Sequence, residues 1–459
     1  MSLLFAILGM LLGILFFLVV WRLESGNRVI LSPFVLLCGN EMLRNWPAGL
    51  AAPWLRLSSD FVPLWIMLAG FFALLAGFAV SMLATGYRAS LPVRFRDSPI
   101  LVFRPQSYVI ACIVAAVLLT GLGLVLFQGP PPVTQSLATL GSGVSVESAL
   151  GLGADRQEIT KSYYFGGEYR GQGLLRTLMQ VCWPILTGVA LVLALRRRSP
   201  LWWTMTAGLF ALMFLFVAGD GTRGPFLWCV IYLLVLVSMI RELRMRTVVT
   251  FIAGIFALAI AISVLSPKLH RALESGQVLS SGGAEIASRI LLGNGVNTVS
   301  IVELVRSGRW EYRLGKLHYQ RFANAIPGVE SGEPFAHELY RTLNPGTKAT
   351  TYNSATYIGD AFLDFGVPGV VIAYFIFGVG LGMLQRQLFR AKRTPARLAF
   401  LAFLTLTISQ MTLSGPSGLL TGTAVAAAFV FGVRLLLGLS DGLTARRSAA
   451  PIGQPALEG

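Results

Sequence analysis

The sequence predicts an all-α polytopic membrane protein of about ten or eleven transmembrane helices with two exported loops, the larger one partly helical. Three observations predict it. Hydrophobic residues make up 55% of the chain and charged residues 13%, with a mean hydropathy of +0.69, which excludes an ordinary water-soluble globular protein. Apolar runs recur at the length of about 20 residues that crosses a hydrocarbon core. Arginine and lysine gather in every second short connection between those runs, as the preference for positive cytoplasmic loops predicts.

The apolar runs fall at residues 2–21, 61–84, 108–127, 174–195, 201–218, 225–240, 247–265, 366–385, 398–413 and 419–437. A further run, 29–46, is shorter and carries Glu41 and Arg44, so its spanning status stays open. The first run has no basic stretch before it and no small-residue cleavage site, and reads as a retained helix. Basic clusters follow alternate runs: Arg88, Arg94, Arg96 and Arg104, then Arg196, Arg197 and Arg198, then Arg241, Arg244 and Arg246. Arg386, Arg390, Lys392, Arg393 and Arg397 continue the pattern, and Arg446 and Arg447 close it. Placing these inside divides the chain into N-terminal transmembrane helices (1–127), a first periplasmic loop (128–173) and central helices (174–266) with a short periplasmic turn (219–224). A large periplasmic loop (267–365), C-terminal helices (366–439) and a cytoplasmic tail (440–459) follow. The net charge of +16 is therefore mostly a topology signal, with no nucleic-acid partner implied. All four cysteines lie in apolar runs and read as small core residues.

The segment 267–365 concentrates the chemistry. Its 99 residues hold all three histidines, His270, His318 and His337, with ten of the 37 Lys/Arg and nine of the 21 Asp/Glu. Residues 284–305 carry apolar positions near helical spacing, which predicts a helix packed on the bundle or lying at the interface. No phosphate-binding Walker sequence occurs, no Cys/His pair has zinc spacing and no Asp-x-Asp is present, so ATP chemistry and metal-dependent sugar transfer are disfavoured. The expectation is of no metal and no cofactor. The spans carry almost no ionisable groups, which disfavours an ion-coupled pump.

What remains is arginine on the exported face: Arg156, Arg170, Arg223, Arg289, Arg306, Arg309, Arg313, Arg321 and Arg341. A guanidinium is a fixed fork of donors that matches phosphate or diphosphate, and it stays charged. Arg223 sits in a Gly-rich turn, Gly219-Asp220-Gly221-Thr222-Arg223-Gly224, at the depth of a lipid headgroup. The alternative for each arginine is pairing with the acids of the same loops, or, for Arg223, snorkelling to lipid phosphate.

Two stretches carry a family resemblance. Gly221-Thr222-Arg223-Gly224 precedes a span, and Ser354-Ala355-Thr356-Tyr357-Ile358-Gly359-Asp360-Ala361-Phe362-Leu363-Asp364-Phe365-Gly366-Val367-Pro368-Gly369 leads back into the membrane. In these pieces and in its layout the chain resembles the O-antigen and oligosaccharide repeat-unit polymerases of bacterial envelopes, Wzy-type glycan polymerases of the inner membrane. An Arg-x10-Gly spacing in both exported loops (Arg156 to Gly167, Arg321 to Gly332) also occurs in some members. Arg271 to Gly282 has it too, so the spacing decides nothing.

The resemblance implies a glycosyltransferase that joins two undecaprenyl-diphosphate-linked oligosaccharides on the periplasmic face. It also implies a chain-length regulator and a flippase as partners, with membrane lipids around the protein. Arg223, Arg156, Arg170, Arg289 and Arg321 are then expected to bind the diphosphate. A base must take the acceptor hydroxyl proton. His337 and Glu338 are the first candidates, with Glu333 beside them and His318, Asp360 and Asp364 as alternatives; histidine's ordinary pKa of about 6.5 suits a base. Tyr169, Trp310 and Tyr319 are candidates for stacking on sugars, and could equally form an interfacial belt. An O-antigen ligase and a lipid-glycan flippase are the alternative functions.

Overall fold

The structure is a computed structural model. It describes residues 3–25, 31–86, 91–102, 105–127, 131, 172–217, 223–243, 246–247, 250, 254, 292–324, 335–345, 355–390, 392–414, 422–435 and 437. Among them there is no β-strand, and the helices in chain order are α1 (Leu3–Ser25), α2 (Pro33–Ala51), α3 (Val62–Ala84), α4 (Leu91–Asp97) and α5 (Pro105–Phe127). There follow α6 (Gln172–Arg197), α7 (Pro200–Val217), α8 (Arg223–Ile240), α9 (Gly293–Arg306), α10 (Lys316–Asn324) and α11 (Phe335–Leu343). The last are α12 (Tyr357–Phe389), α13 (Pro395–Ser409), α14 (Met411–Ser414) and α15 (Gly422–Leu435).

Six described helices are long and apolar enough to cross a membrane, and three shorter apolar ones accompany them. The chain is an all-α polytopic membrane protein. The run expected at 247–265 lies outside the described residues apart from isolated positions. The segment 29–46, left open above, becomes α2, which Ser32 caps by accepting from the Val35 amide at 3.2 Å, with Pro33 opening the first turn.

The most extensively paired helices are α3 and α12, held together by glycines. A Cβ added at Gly70 would meet Val370 at 2.9 Å, while Gly77 faces the Phe375 carbonyl and Gly382 faces Ser81. The pairing order shows that the two helices run in the same direction. Small residues permit this close approach, which matters in a bilayer because lipid is as apolar as the helix surface and association rests on packing.

The sequence places the loop boundary at 365, but helix begins at Tyr357 and breaks at Gly366, whose φ of +67° and ψ of −157° are open essentially to glycine alone. The two limbs fold back on each other: a Cβ at Gly369 would meet the Ala361 carbonyl at 2.8 Å. The limb Tyr357–Asp364 is buried helix. The partners of its aspartates lie on another element.

At the far end of α3 and α12 sits a basic cluster. The Arg393 guanidinium donates to the Met239 carbonyl at 2.9 Å and to the Arg96 carbonyl at 2.5 Å, and lies over the Phe95 ring at 5.4 Å. The Gly366 break lies at the opposite end of α12. Because α3 and α12 are parallel, basic cluster and break are separated by the length of the bundle, about 34 Å for a 23-residue helix.

Candidate active site

Helix α10 is poor in local start signals, with no acidic residue in its first turn. Its cap comes instead from Asp364 on α12. The Asp364 carboxylate accepts from the Leu317 amide at 3.2 Å and from the His318 amide at 3.0 Å, while its backbone carbonyl accepts from the Leu314 amide at 3.0 Å. This satisfies orphan donors and sets a negative group at the positive helix end. Leu314 (φ +49°) and Gly315 (φ +88°) make the tight approach, and Gly315 packs on the Phe365 ring.

The same carboxylate holds the His318 side chain, whose Nδ1 lies 2.5 Å from Asp364 Oδ2. A carboxylate only accepts, so Nδ1 carries the hydrogen, and in the neutral imidazole Nε2 is left as the acceptor. Nε2 faces the Tyr357 hydroxyl at 3.2 Å. One turn along each helix, Arg321 pairs with the wholly buried Asp360. Thus His318 and Arg321 on α10 meet Asp364 and Asp360 on α12 in matched register.

An apolar groove of about 600 Å³ starts at this constellation, bounded by His318, Tyr357 and Phe365, and continues along α12 past Ile372 and Ile376 to Gly380. A second cavity beside Arg176 and Phe216, of about 20 Å³, has room for little more than one water.

The expected site residues distribute as follows. His337 and Glu338 lie on α11, where Glu338 Oε1 accepts from Arg313 at 2.5 Å. Arg313 also lies over the rings of Trp310 at 5.4 Å and Phe335 at 5.1 Å, so Trp310 is engaged in packing on this side. Tyr319, next to His318, is 70% exposed. Arg306 pairs with Asp60 and Glu303. Arg223 opens α8, but its side chain lies outside the described residues, as do Arg156, Tyr169, Arg170, Arg289 and Glu333. The structure brings Arg321 together with the three residues held only as alternatives, His318, Asp360 and Asp364. Tyr357 was missed as a site residue. Reading 357–365 as helix would have put Asp360 and Asp364 on one face, matching His318 and Arg321 one turn apart.

The family model described as "Putative O-antigen polymerase" matches residues 172–433, more than half of the chain. The chain belongs to that family. No curated protein and no solved structure matches it. The residues matched to the O-antigen polymerase family contain His318, Arg321, Tyr357, Asp360, Asp364 and the groove, while α1 to α5 precede them.

Proposed function

We propose that this O-antigen polymerase family member extends a glycan by joining lipid-diphosphate-linked oligosaccharide repeat units, and that His318 is its general base. The observation that carries the reading is the Asp364–His318 pair at the head of an apolar groove. The acceptor sugar hydroxyl takes the place of the Tyr357 hydroxyl at Nε2 and gives up its proton there as its oxygen attacks the donor's anomeric carbon. The bond from that carbon to the diphosphate oxygen breaks, and the lipid diphosphate leaves with the electron pair.

Arg321 stabilises that leaving charge in this reading, without a metal. A guanidinium has five donors, and 24% of the Arg321 side-chain surface is exposed, which suits a bridge between Asp360 and a diphosphate. Arg223, Arg156, Arg170 and Arg289 are further diphosphate ligands in the proposal, and the exposed Tyr319 is the sugar platform closest in sequence to the base. The lipid tail lies in the groove. His318 is preferred as the base because it has an orienting carboxylate and a neighbouring cation and stands at the head of the groove.

The chain is a multi-pass membrane protein, and its orientation is part of the proposal. The Arg393 cluster supports reading its end as cytoplasmic, and in that reading His318 faces the periplasm from the inner membrane. Replacing His318 with Ala in a strain that depends on this protein is expected to leave surface glycan of a single repeat unit at normal membrane protein levels. Unchanged polymer would rule out His318 as the base.

A further inference from the structure

Glu41 is a carboxylate that the chemistry above does not use, and it is 1% exposed inside the helix bundle. An ionisable group at such depth calls for partners and a purpose. Its partners are specific. The Tyr374 hydroxyl donates to Glu41 Oε1 at 2.8 Å, and Asn45 donates to Oε2. Tyr374, itself wholly buried, stacks on Tyr357 with ring centroids 5.7 Å apart and planes inclined by 30°. Tyr357 in turn presents its hydroxyl to His318 Nε2 at 3.2 Å and its ring edge-on to the imidazole at 5.4 Å. An unbroken path of contacts therefore runs from α2, through both limbs of α12, to the imidazole.

We infer that Glu41 is a positioning residue for polymerisation: by holding the Tyr374 hydroxyl it fixes the stacked Tyr357 ring, whose edge-on contact holds the direction of the His318 imidazole also when the acceptor hydroxyl has replaced the Tyr357 hydroxyl at Nε2. The inference rests on the reading of His318 as the base. Glu41 also lies outside the residues matched by the family model, so this support belongs to the N-terminal part of the chain. Acid–base catalysis depends on hydrogen-bond reach between base and hydroxyl, and a displacement of about 1 Å lowers rate by about a hundredfold. Loss of a tether two residues removed is expected to act mostly on kcat, because substrate contacts are untouched.

The test uses the full-length protein in lipid with a lipid-diphosphate-linked repeat unit. Glu41→Leu is expected to lower kcat by about tenfold or more with KM within about twofold, Tyr374→Phe to do the same, and the double variant to be no worse than either. Glu41→Gln is expected to restore kcat to within about threefold. Its carbonyl still accepts from Tyr374, and its amide can donate to the Asn45 Oδ1 atom, which has no hydrogen-bond partner among the described residues. If Glu41→Leu keeps full kcat, or if the losses of Glu41→Leu and Tyr374→Phe multiply, the positioning role is overturned. A loss in Glu41→Gln equal to that in Glu41→Leu also overturns it, since a group acting by hydrogen-bond geometry is rescued by its amide. The two readings fail separately: full turnover in His318→Ala removes the base assignment, whereas an inactive His318→Ala beside a fully active Glu41→Leu removes only this inference.

Discussion

The rings of Tyr357 and Tyr374 stack 5.7 Å apart although 17 residues separate them in the chain. A straight helix would hold them about 25 Å apart. The difference is the fold-back at Gly366, which returns the first limb of α12 along the second and brings Asp360 and Asp364 to α10. The candidate site exists because that one residue adopts a conformation nearly closed to side chains.

Gly366→Ala tests this directly. A non-glycine residue in that region costs about 1–3 kcal/mol, and the added Cβ would also meet the Tyr312 ring at 3.3 Å. The variant is expected to melt several degrees below the parent in detergent and to lose polymerisation. An unchanged melting temperature would mean that the break is not strained as described.

The Arg321–Asp360 pair separates structure from chemistry. Arg321→Ala leaves the buried Asp360 without its cation, a loss of roughly 3 kcal/mol or more. Replacing both residues with Leu is expected to recover most of the melting temperature and none of the polymer. Recovery of polymer in the double variant would remove Arg321 from the chemistry.

The groove makes a prediction about substrate. Gly380 lines it, and a Cβ there meets nothing within 4 Å, so Gly380→Leu projects a side chain into the groove without disturbing the helix. With diphosphate-linked repeat units on long and short prenyl tails, the parent is expected to favour the long tail in kcat/KM. Gly380→Leu is expected to reduce that preference by about tenfold or more, the equivalent of about 1.4 kcal/mol.

Much of the fold was legible because a bilayer demands long apolar helices, and the runs at 61–84, 108–127, 174–195 and 201–218 coincide closely with α3, α5, α6 and α7. The break in α12 was not legible. Gly366 and Pro368 read as the mouth of a span, and Asp360 and Asp364 as loop carboxylates, because pattern alone carries no information about a cap supplied by another helix. The same holds for Glu41: a carboxylate in a short apolar run left the span open, and its hydrogen-bond partner Tyr374 stands 333 residues away. The Asp364–His318 contact was not legible for a similar reason. His337 has an acidic neighbour in sequence, Glu338, whereas the carboxylate of His318 is 46 residues distant.

An acid-sensitive contact fixes α9 to the turn before α3. Arg306 donates to both Asp60 oxygens, at 3.0 and 2.9 Å, and holds the Asp60 carboxyl below the usual carboxylate range. A lowered folded-state pKa contributes stability above the unfolded value of about 3.9 and loses it as pH falls through the folded value. Asp60→Asn is therefore expected to melt below the parent at pH 6, and the gap is expected to narrow as pH falls below about 3.9. A gap that stays as wide below that pH as at pH 6 would contradict the assignment.

The most direct measurement is polymerisation by purified protein in lipid with a defined lipid-diphosphate-linked repeat unit, comparing the parent, His318→Ala, Asp364→Ala and His337→Ala. The account predicts a ladder of products for the parent and for His337→Ala, and a rate lower by about a hundredfold or more for His318→Ala. Asp364→Ala should fall with it. A full ladder from His318→Ala, with none from His337→Ala, would contradict the account and move the base to α11.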